Sequence, residues 1–166
     1  CIRDSYEISE VFKQDTSIPI LFGIIFIIIG LAFKISAVPF HMWSPDVYQG
    51  SPTSVTSFFA LAPKIAGLGA IIRILYICFG EIYEEWKSII IFIAVASMLL
   101  GAFAAIGQTN LKRLMAYSSI SHIGYVLAAL TVGNRDGVIS AISYLNIYII
   151  MMISSFACIL FFKRKN

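Results

Sequence analysis

Charged side chains are what this sequence lacks most. Asp, Glu, Lys and Arg make up 13% of its 166 residues, where a soluble domain carries about 25%. That shortage excludes an ordinary water-soluble surface. The few charges are also clumped into short connectors, and long stretches carry none. Cysteine is nearly as sparse: Cys1, Cys78 and Cys158 are widely spaced, with no CxxC and no Cys/His pattern. This argues against a disulfide framework or a zinc site and leaves small, inert hydrophobes. No glycine-rich phosphate loop, nucleotide fingerprint or cluster of metal ligands is written in the chain. Nothing in it is therefore expected to hold a flavin, haem or iron–sulfur centre, and any redox chemistry is expected in another chain. The net charge of +3 is too small and too scattered for nucleic acid. Residues 1–17 are mixed-charge and polar, so no signal peptide is expected before the first apolar run. Because the chain starts at Cys1 rather than Met, its start is expected to be a processed or partial end.

What it has instead is apolar length. A membrane-spanning helix needs about 20 predominantly apolar residues, and 59% of the chain is hydrophobic. Five candidate spans follow: about Ile18 to Phe40 with a possible extension to Trp43, then Val55 to Phe79, Ser88 to Gly107, Leu114 to Val132, and Val138 to Phe162. The runs are too long, and alternate too little, to be strands. Short connectors, WSPDVYQGSPT, GEIYEEWK, QTNLKR and NRDG, make antiparallel neighbours. The expected fold is an all-α polytopic membrane bundle, with 1–17 as a polar tail and 18–166 as a five-helix membrane domain. Gly67, Gly69, Gly101, Ala105 and Gly107 read as close-packing positions, and the aromatic residues as mostly lipid-facing or interfacial. With the connectors alternating between sides, Lys112, Arg113, Lys163, Arg164 and Lys165 share one side with the single acid Asp46. Arg3, Lys13, Lys87 and Arg135 share the other with eight acids, so the first side is expected to face the cytoplasm or matrix.

Four basic residues lie where apolar ones are expected. Lys34 follows the run Ile18 to Phe33, Lys64 sits about ten residues into the second span, and Arg73 and His122 also fall inside spans. A lysine at a helix centre costs roughly 2.5–3.5 kcal/mol on insertion scales. Pro39, which clashes with the carbonyl at Ile35, and Pro63, which disturbs the helix near Phe59, place a proline beside each lysine. Freed carbonyls and a buried ammonium can satisfy each other. Broken helices with ionisable groups near the midplane are a device of ion transporters. Burial disfavours the charged amine, so both lysines are candidate proton carriers, with snorkelling or structural pairing as the alternative for Lys34. Arg73 reads as an interface anchor, since arginine holds its proton. His122, among Ser118, Ser119 and Ser121, is a candidate relay or a hydrogen-bonded structural histidine. His41 beside the break is a candidate access group, and Asp46 is expected to cap or tie its loop.

Two stretches carry a family resemblance. FKISAVPFHMWSPDVYQGSPTSVTSF (33–58) with LAPK (61–64), and QTNLKRLMAYSSISHIGYVLAAL (108–130), resemble the antiporter-like subunits of respiratory complex I, and within them the N-type branch. The resemblance implies a proton-translocating part of the membrane arm, corresponding to family helices seven to eleven of about fourteen. It implies that the first span is the family's discontinuous helix and that Lys34 is its central lysine. Lys64 matches the lysine of the next helix, and His122 matches a polar position on the water-lined axis. It implies partner subunits carrying the flavin, iron–sulfur clusters and ubiquinone. LAPK departs from the pattern, since a small residue usually occupies the position of Pro63. The family's glutamate on helix five and lysine on helix twelve have no counterpart, so either the remainder of the subunit is not included in this sequence or, as in a split subunit, another chain supplies helices one to six and twelve to fourteen. Richness in isoleucine and phenylalanine points to an organellar gene and the mitochondrial inner membrane, with a bacterial inner membrane as the alternative. Rival readings are a subunit of a multi-subunit sodium/proton antiporter, a non-pumping structural element of the membrane arm, and a related complex with another electron donor.

Overall fold

The computed structural model describes residues 18–165, so the polar tail expected over 1–17 lies outside the described residues. Six α-helices follow in order: α1 (Ile18–Ile35), α2 (Trp43–Gly50), α3 (Thr53–Arg73), α4 (Tyr83–Ile106), α5 (Leu111–Leu130) and α6 (Arg135–Lys165). Among the described residues there are no strands. Three stretches are long and apolar enough to cross a membrane by length and composition: Thr53–Cys78, Gly80–Ile106 and Arg135–Phe162. The apolar stretch Leu21–Ile35 is shorter. Helix α5 has 20 residues, about 30 Å at 1.5 Å each, but Lys112, Arg113, the serines and His122 dilute its hydropathy. The chain is thus a multi-pass helical membrane bundle.

The first helix is broken, as expected, but not by the proline. Ser36 takes a left-handed backbone (φ 61°). Its N–H donates to the Phe33 carbonyl (3.1 Å), and the Ala37 N–H reaches back to Ala32 (2.9 Å). These paired bonds form the Schellman arrangement that ends helices, in which proline commonly follows the cap. Pro39 sits three residues past the stop, after a cis peptide bond. The Trp43 indole N–H adds a second bond to the Phe33 carbonyl (3.0 Å). Backbone and indole, not the Lys34 ammonium, therefore satisfy the Ala32 and Phe33 carbonyls. The second half of the broken element is α2, which occupies sequence read as a connector.

Pro63 was expected to disturb the second helix, yet α3 runs unbroken from Thr53 to Arg73 with Pro63 inside it. Proline deprives one carbonyl of its partner, but in a membrane bundle packed neighbours and local adjustment keep the helix intact. Beyond Arg73 the winding widens into one π-helical turn, Ile74–Cys78, and a short 3-10 turn, Gly80–Ile82, leads into α4. Asn110 caps α5 by accepting from the N–H groups of Lys112 (2.9 Å) and Arg113 (3.4 Å), the usual work of an N-cap amide.

Both ends of the bundle are tied. At one, Arg113 Nη1 meets Asp46 Oδ1 at 2.8 Å and Gln49 Oε1 at 3.0 Å, and Lys112 Nζ donates to the Ser51 carbonyl. Asp46 thus ties α2 to the start of α5. At the other, Tyr76 donates to the Leu130 carbonyl (2.6 Å) and Tyr83 to that of Thr131. This grouping matches the alternating connectors.

Between these ends α4 and α5 approach until backbone meets backbone. A Cβ placed on Gly101 would lie 2.6 Å from the Ser121 nitrogen, and one on Gly124 would lie 2.8 Å from the Ala94 carbonyl oxygen. Gly67 is equally tight, 2.6 Å from Ile35 Cγ2. Gly69 and Gly107, also expected at helix contacts, face open space, so they need not be glycine for packing. Gly124→Ala is expected to reduce the amount of folded protein sharply, since overpacking a close contact costs about 1–3 kcal/mol and here backbone must move. Gly69→Ala is expected to leave it unchanged. Thermal melts and membrane abundance of the two variants check this contrast.

Candidate functional site

Lys64 is 1% exposed, among the largest wholly buried side chains of the chain. It lies on α3 and points between α2 and α5. Its Nζ donates to Ser119 Oγ at 2.6 Å and stands 5.6 Å from the centre of the Tyr48 ring, within cation–π range. Ser119 in turn donates to the Ala116 carbonyl one turn back (2.7 Å). That fixes its hydroxyl hydrogen along α5 and leaves the oxygen lone pairs for Lys64. No carboxylate among the described residues forms an ion pair with Lys64.

Tyr48 is fully buried because α2 packs its inner face on α3 and α5. Its carbonyl accepts from Thr56 Oγ1 (3.2 Å), which seats α2 on the start of α3. The α6 residues Tyr148, Met152 and Phe156 close the same layer at helical spacing. His122 is half-buried one turn beyond Ser119. Its Nδ1 pairs with Tyr144 Oη at 2.7 Å, and its ring lies 5.3 Å from that of Tyr148 and 6.4 Å from that of Tyr125. On its open side it joins Ser118, Ser121, Gly101 and Ala105 along a shallow groove between α4 and α5. His122 is therefore both a hydrogen-bonded histidine and an accessible one.

The other candidates lie apart from this layer. Lys34 is exposed on the outside of the bundle, beside Phe33, Trp43, Phe59 and Pro63 in an open groove. Its stem passes near Gly67, but its ammonium makes no ion pair with any described residue. The helix stops at Ile35 through backbone bonds, which leaves Lys34 on the outer face. Arg73 is exposed near the end of α3, the position of an interface anchor. His41 is 8% exposed and its Nδ1 has no hydrogen-bond partner. Beside it, Val38 N–H donates to Ser97 Oγ on α4 at 2.9 Å. Among the described residues no group of three or more His, Cys, Asp or Glu could share a metal ion.

Reading the sequence missed Ser119, Tyr48, Tyr144 and Tyr148 as parts of the lysine's surroundings. The one signal available was the spacing of Tyr144, Tyr148, Met152 and Phe156, which places them on one face of α6. If Ser119 seats the ammonium, Ser119→Ala should cost about 1–3 kcal/mol by leaving a buried charge without its acceptor. In a Lys64→Met background the same change should be nearly neutral. Chemical denaturation of the four variants as a double-mutant cycle checks it, and additive losses would contradict the seat.

The matching family model is that of the NADH:quinone oxidoreductase/Mrp antiporter transmembrane domain, aligned over residues 2–166. Among curated relatives, NADH-quinone oxidoreductase subunit N of Parvibaculum lavamentivorans is 57% identical over 160 residues, covering 96% of this chain and 33% of its own length. The protein of the same name from Pelagibacter ubique is 59% identical over 145 residues, covering 87% and 31%. The chain thus spans about a third of the length of these relatives. Among solved structures, the Mrp complex of a Dietzia species superposes with a TM-score of 0.76 at 26% identity, over 89% of this chain and 27% of the other. A chain of respiratory complex I from Thermus thermophilus, with bound aureothin, superposes at 0.56 with 38% identity, over 70% and 25%. Backbone likeness is greater to the first, and sequence likeness to the second. The match over nearly the whole chain establishes that it belongs to the NADH:quinone oxidoreductase/Mrp antiporter family of membrane proteins.

Proposed function

We propose that this chain is part of a proton-translocating, N-type membrane-arm subunit of respiratory complex I, with Lys64 and His122 handling protons inside the bundle and Lys34 at its outer face. The observation that carries this reading is the environment of Lys64. A wholly buried ammonium rests on a serine hydroxyl and a tyrosine face, with no described carboxylate to fix its charge. An apolar side chain of similar size would stabilise such a site better. Ionisable groups within membrane segments are by default functional.

On this reading Lys34, exposed on its groove, pairs in the resting state with a glutamate of another helix of the complex. Loss of that pair shifts the charge balance at Lys64. Redox energy from a distant quinone site drives the shifts, and the flavin, iron–sulfur clusters and ubiquinone belong to partner subunits. The family's helices one to six and twelve to fourteen complete the subunit, in the same polypeptide or in a separate one. The location is an energy-transducing inner membrane, of a mitochondrion or of a bacterium, and the relatives named above are bacterial. The stronger backbone likeness to an Mrp complex favours a second reading, a subunit of a sodium/proton antiporter. It predicts sodium-dependent transport without NADH oxidation.

Gentle solubilisation of native membranes, separation of intact complexes and identification of every comigrating chain distinguishes the two. NADH dehydrogenase activity comigrating with this chain supports the first, and sodium-transport subunits support the second. Within the intact complex, Lys34→Met and Lys64→Met are each expected to abolish or sharply reduce NADH-driven proton uptake into inverted vesicles while assembly persists. Coupled pumping at unchanged rates in both variants would remove the lysines from the mechanism.

A further inference from the structure

The helix that lays Tyr48 against Lys64 is short. Helix α2 has 8 residues, too few to persist as a helix on its own bonds, and no side chain caps its N-terminus. Its position is therefore set by what holds it from outside. The Trp43 indole ties its first residue to the Phe33 carbonyl, and Thr56 Oγ1 donates to the Tyr48 carbonyl. The remaining ties come from the first turn of α5. Arg113 donates from Nη1 to both Asp46 Oδ1 (2.8 Å) and Gln49 Oε1 (3.0 Å). Lys112 Nζ donates to the Ser51 carbonyl just past the end of α2. These contacts bracket Tyr48 in the chain. Asp46 and Gln49 lie exposed at the edge, while Tyr48 is buried with Ser44 and Pro45 on the inner side.

One helix thus carries both parts of the lysine's seat. Lys112, Ala116 and Ser119 recur at the i, i+4, i+7 spacing of a single helix face. Ala116 packs in the same cluster as Tyr48, and Ser119 accepts from Lys64 at 2.6 Å. Lys112 and Ser119 are about 10 Å apart along the axis at 1.5 Å per residue. The 5.6 Å from the ammonium to the Tyr48 ring is therefore set through α5 for as long as its first turn holds α2. Stability alone does not account for the Arg113 pair. Exposed ion pairs contribute little to folding, and the side chains of Arg113 and Asp46 are 32% and 74% exposed. The pair Lys87–Glu84 at the other end, 3.9 Å apart, joins neighbouring turns of one helix. The Arg113 pair instead joins the two helices that have Lys64 between them.

We infer that Arg113 is a positioning residue for Lys64: by clamping α2 through Asp46 and Gln49, it keeps the Tyr48 ring on the buried ammonium. The inference rests on the proton-translocating reading above and deepens it by naming the group that holds the lysine's aromatic partner in place. Arginine suits this role because it keeps its proton, so the clamp does not titrate along with the lysine it serves. Its guanidinium also has donors enough for a carboxylate and an amide at once. A ring face attracts an ammonium, and that attraction falls away when the ring is displaced. A shift of α2 therefore changes the energy of the charged lysine without any change at Lys64 itself.

Charge exchange in the intact complex tests the clamp, with NADH-driven proton uptake into inverted vesicles read per assembled complex on native gels. Arg113→Asp faces Asp46 with a like charge and should slow uptake on the order of tenfold, the scale of a displaced working group. Arg113→Asp combined with Asp46→Arg restores an opposite pair and should return most of the uptake. Lys87→Met, which removes the ion pair at the other end, should leave uptake unchanged. In a Tyr48→Leu background, with no ring to position, Arg113→Asp should add no further loss. A purely structural pair would lower complex abundance and leave uptake per complex intact; that result overturns the clamp, as does an exchange that fails to restore uptake. Normal uptake in Arg113→Asp alongside lost uptake in Lys64→Met overturns the clamp and leaves the proposed function standing. Normal uptake in Lys64→Met as well overturns both. If Arg113→Asp does not assemble, Arg113→Met decides: uptake slowed in the otherwise unaltered chain but not further in Tyr48→Leu supports the clamp, and any other pattern overturns it.

Discussion

The rest of the described structure is arranged around one contact, the 2.6 Å bond from the Lys64 ammonium to Ser119. A charged amine taken from water into a bilayer interior is costly by any scale, and the cost is met only where polar atoms are held ready. Three elements supply them. Helix α5 presents the serine, α2 presents the tyrosine face, and α6 closes the layer with Tyr148, Met152 and Phe156. The short helix α2 lies where it does because α1 stops at a left-handed Ser36 and because the Trp43 indole is drawn back onto the freed Phe33 carbonyl. The break is thus a device for bringing Tyr48 over the lysine.

The glycines make that placement rigid. Side-chain interlayers usually separate helices by 8–10 Å, but Gly101 and Gly124 allow α4 and α5 to touch through their backbones. A lysine seat on a loosely packed helix would relax by tilting. Here the serine is carried on a helix that cannot tilt without a clash.

The lysines were legible because a charge inside an apolar run stands out in any hydropathy reading, and the helical order followed from run length. The seat was not legible. Ser119 lies 55 positions from Lys64, and Tyr48 sits in WSPDVYQG, whose polar letters read as a connector although the segment winds into a helix. Proline misled in both places: at Pro39 the stop had already been made by backbone bonds, and at Pro63 the helix tolerates the loss of one bond. The face on which Lys34 lands was not legible, because sequence shows the run before it and not the direction of its side chain. Glycine contacts depend on which face meets a neighbour, which separates Gly101 and Gly124 from Gly69 and Gly107.

The single bond from Val38 N–H to Ser97 Oγ has a mechanical meaning beyond satisfying a polar group. It pins the interruption after α1 to α4, and α4 meets α5 at close range at Gly101 and Gly124. Ser97 and Ser119 therefore ride on a common strut. The break after α1 and the lysine's acceptor are thus joined through α4 by one hydrogen bond and two close helix contacts.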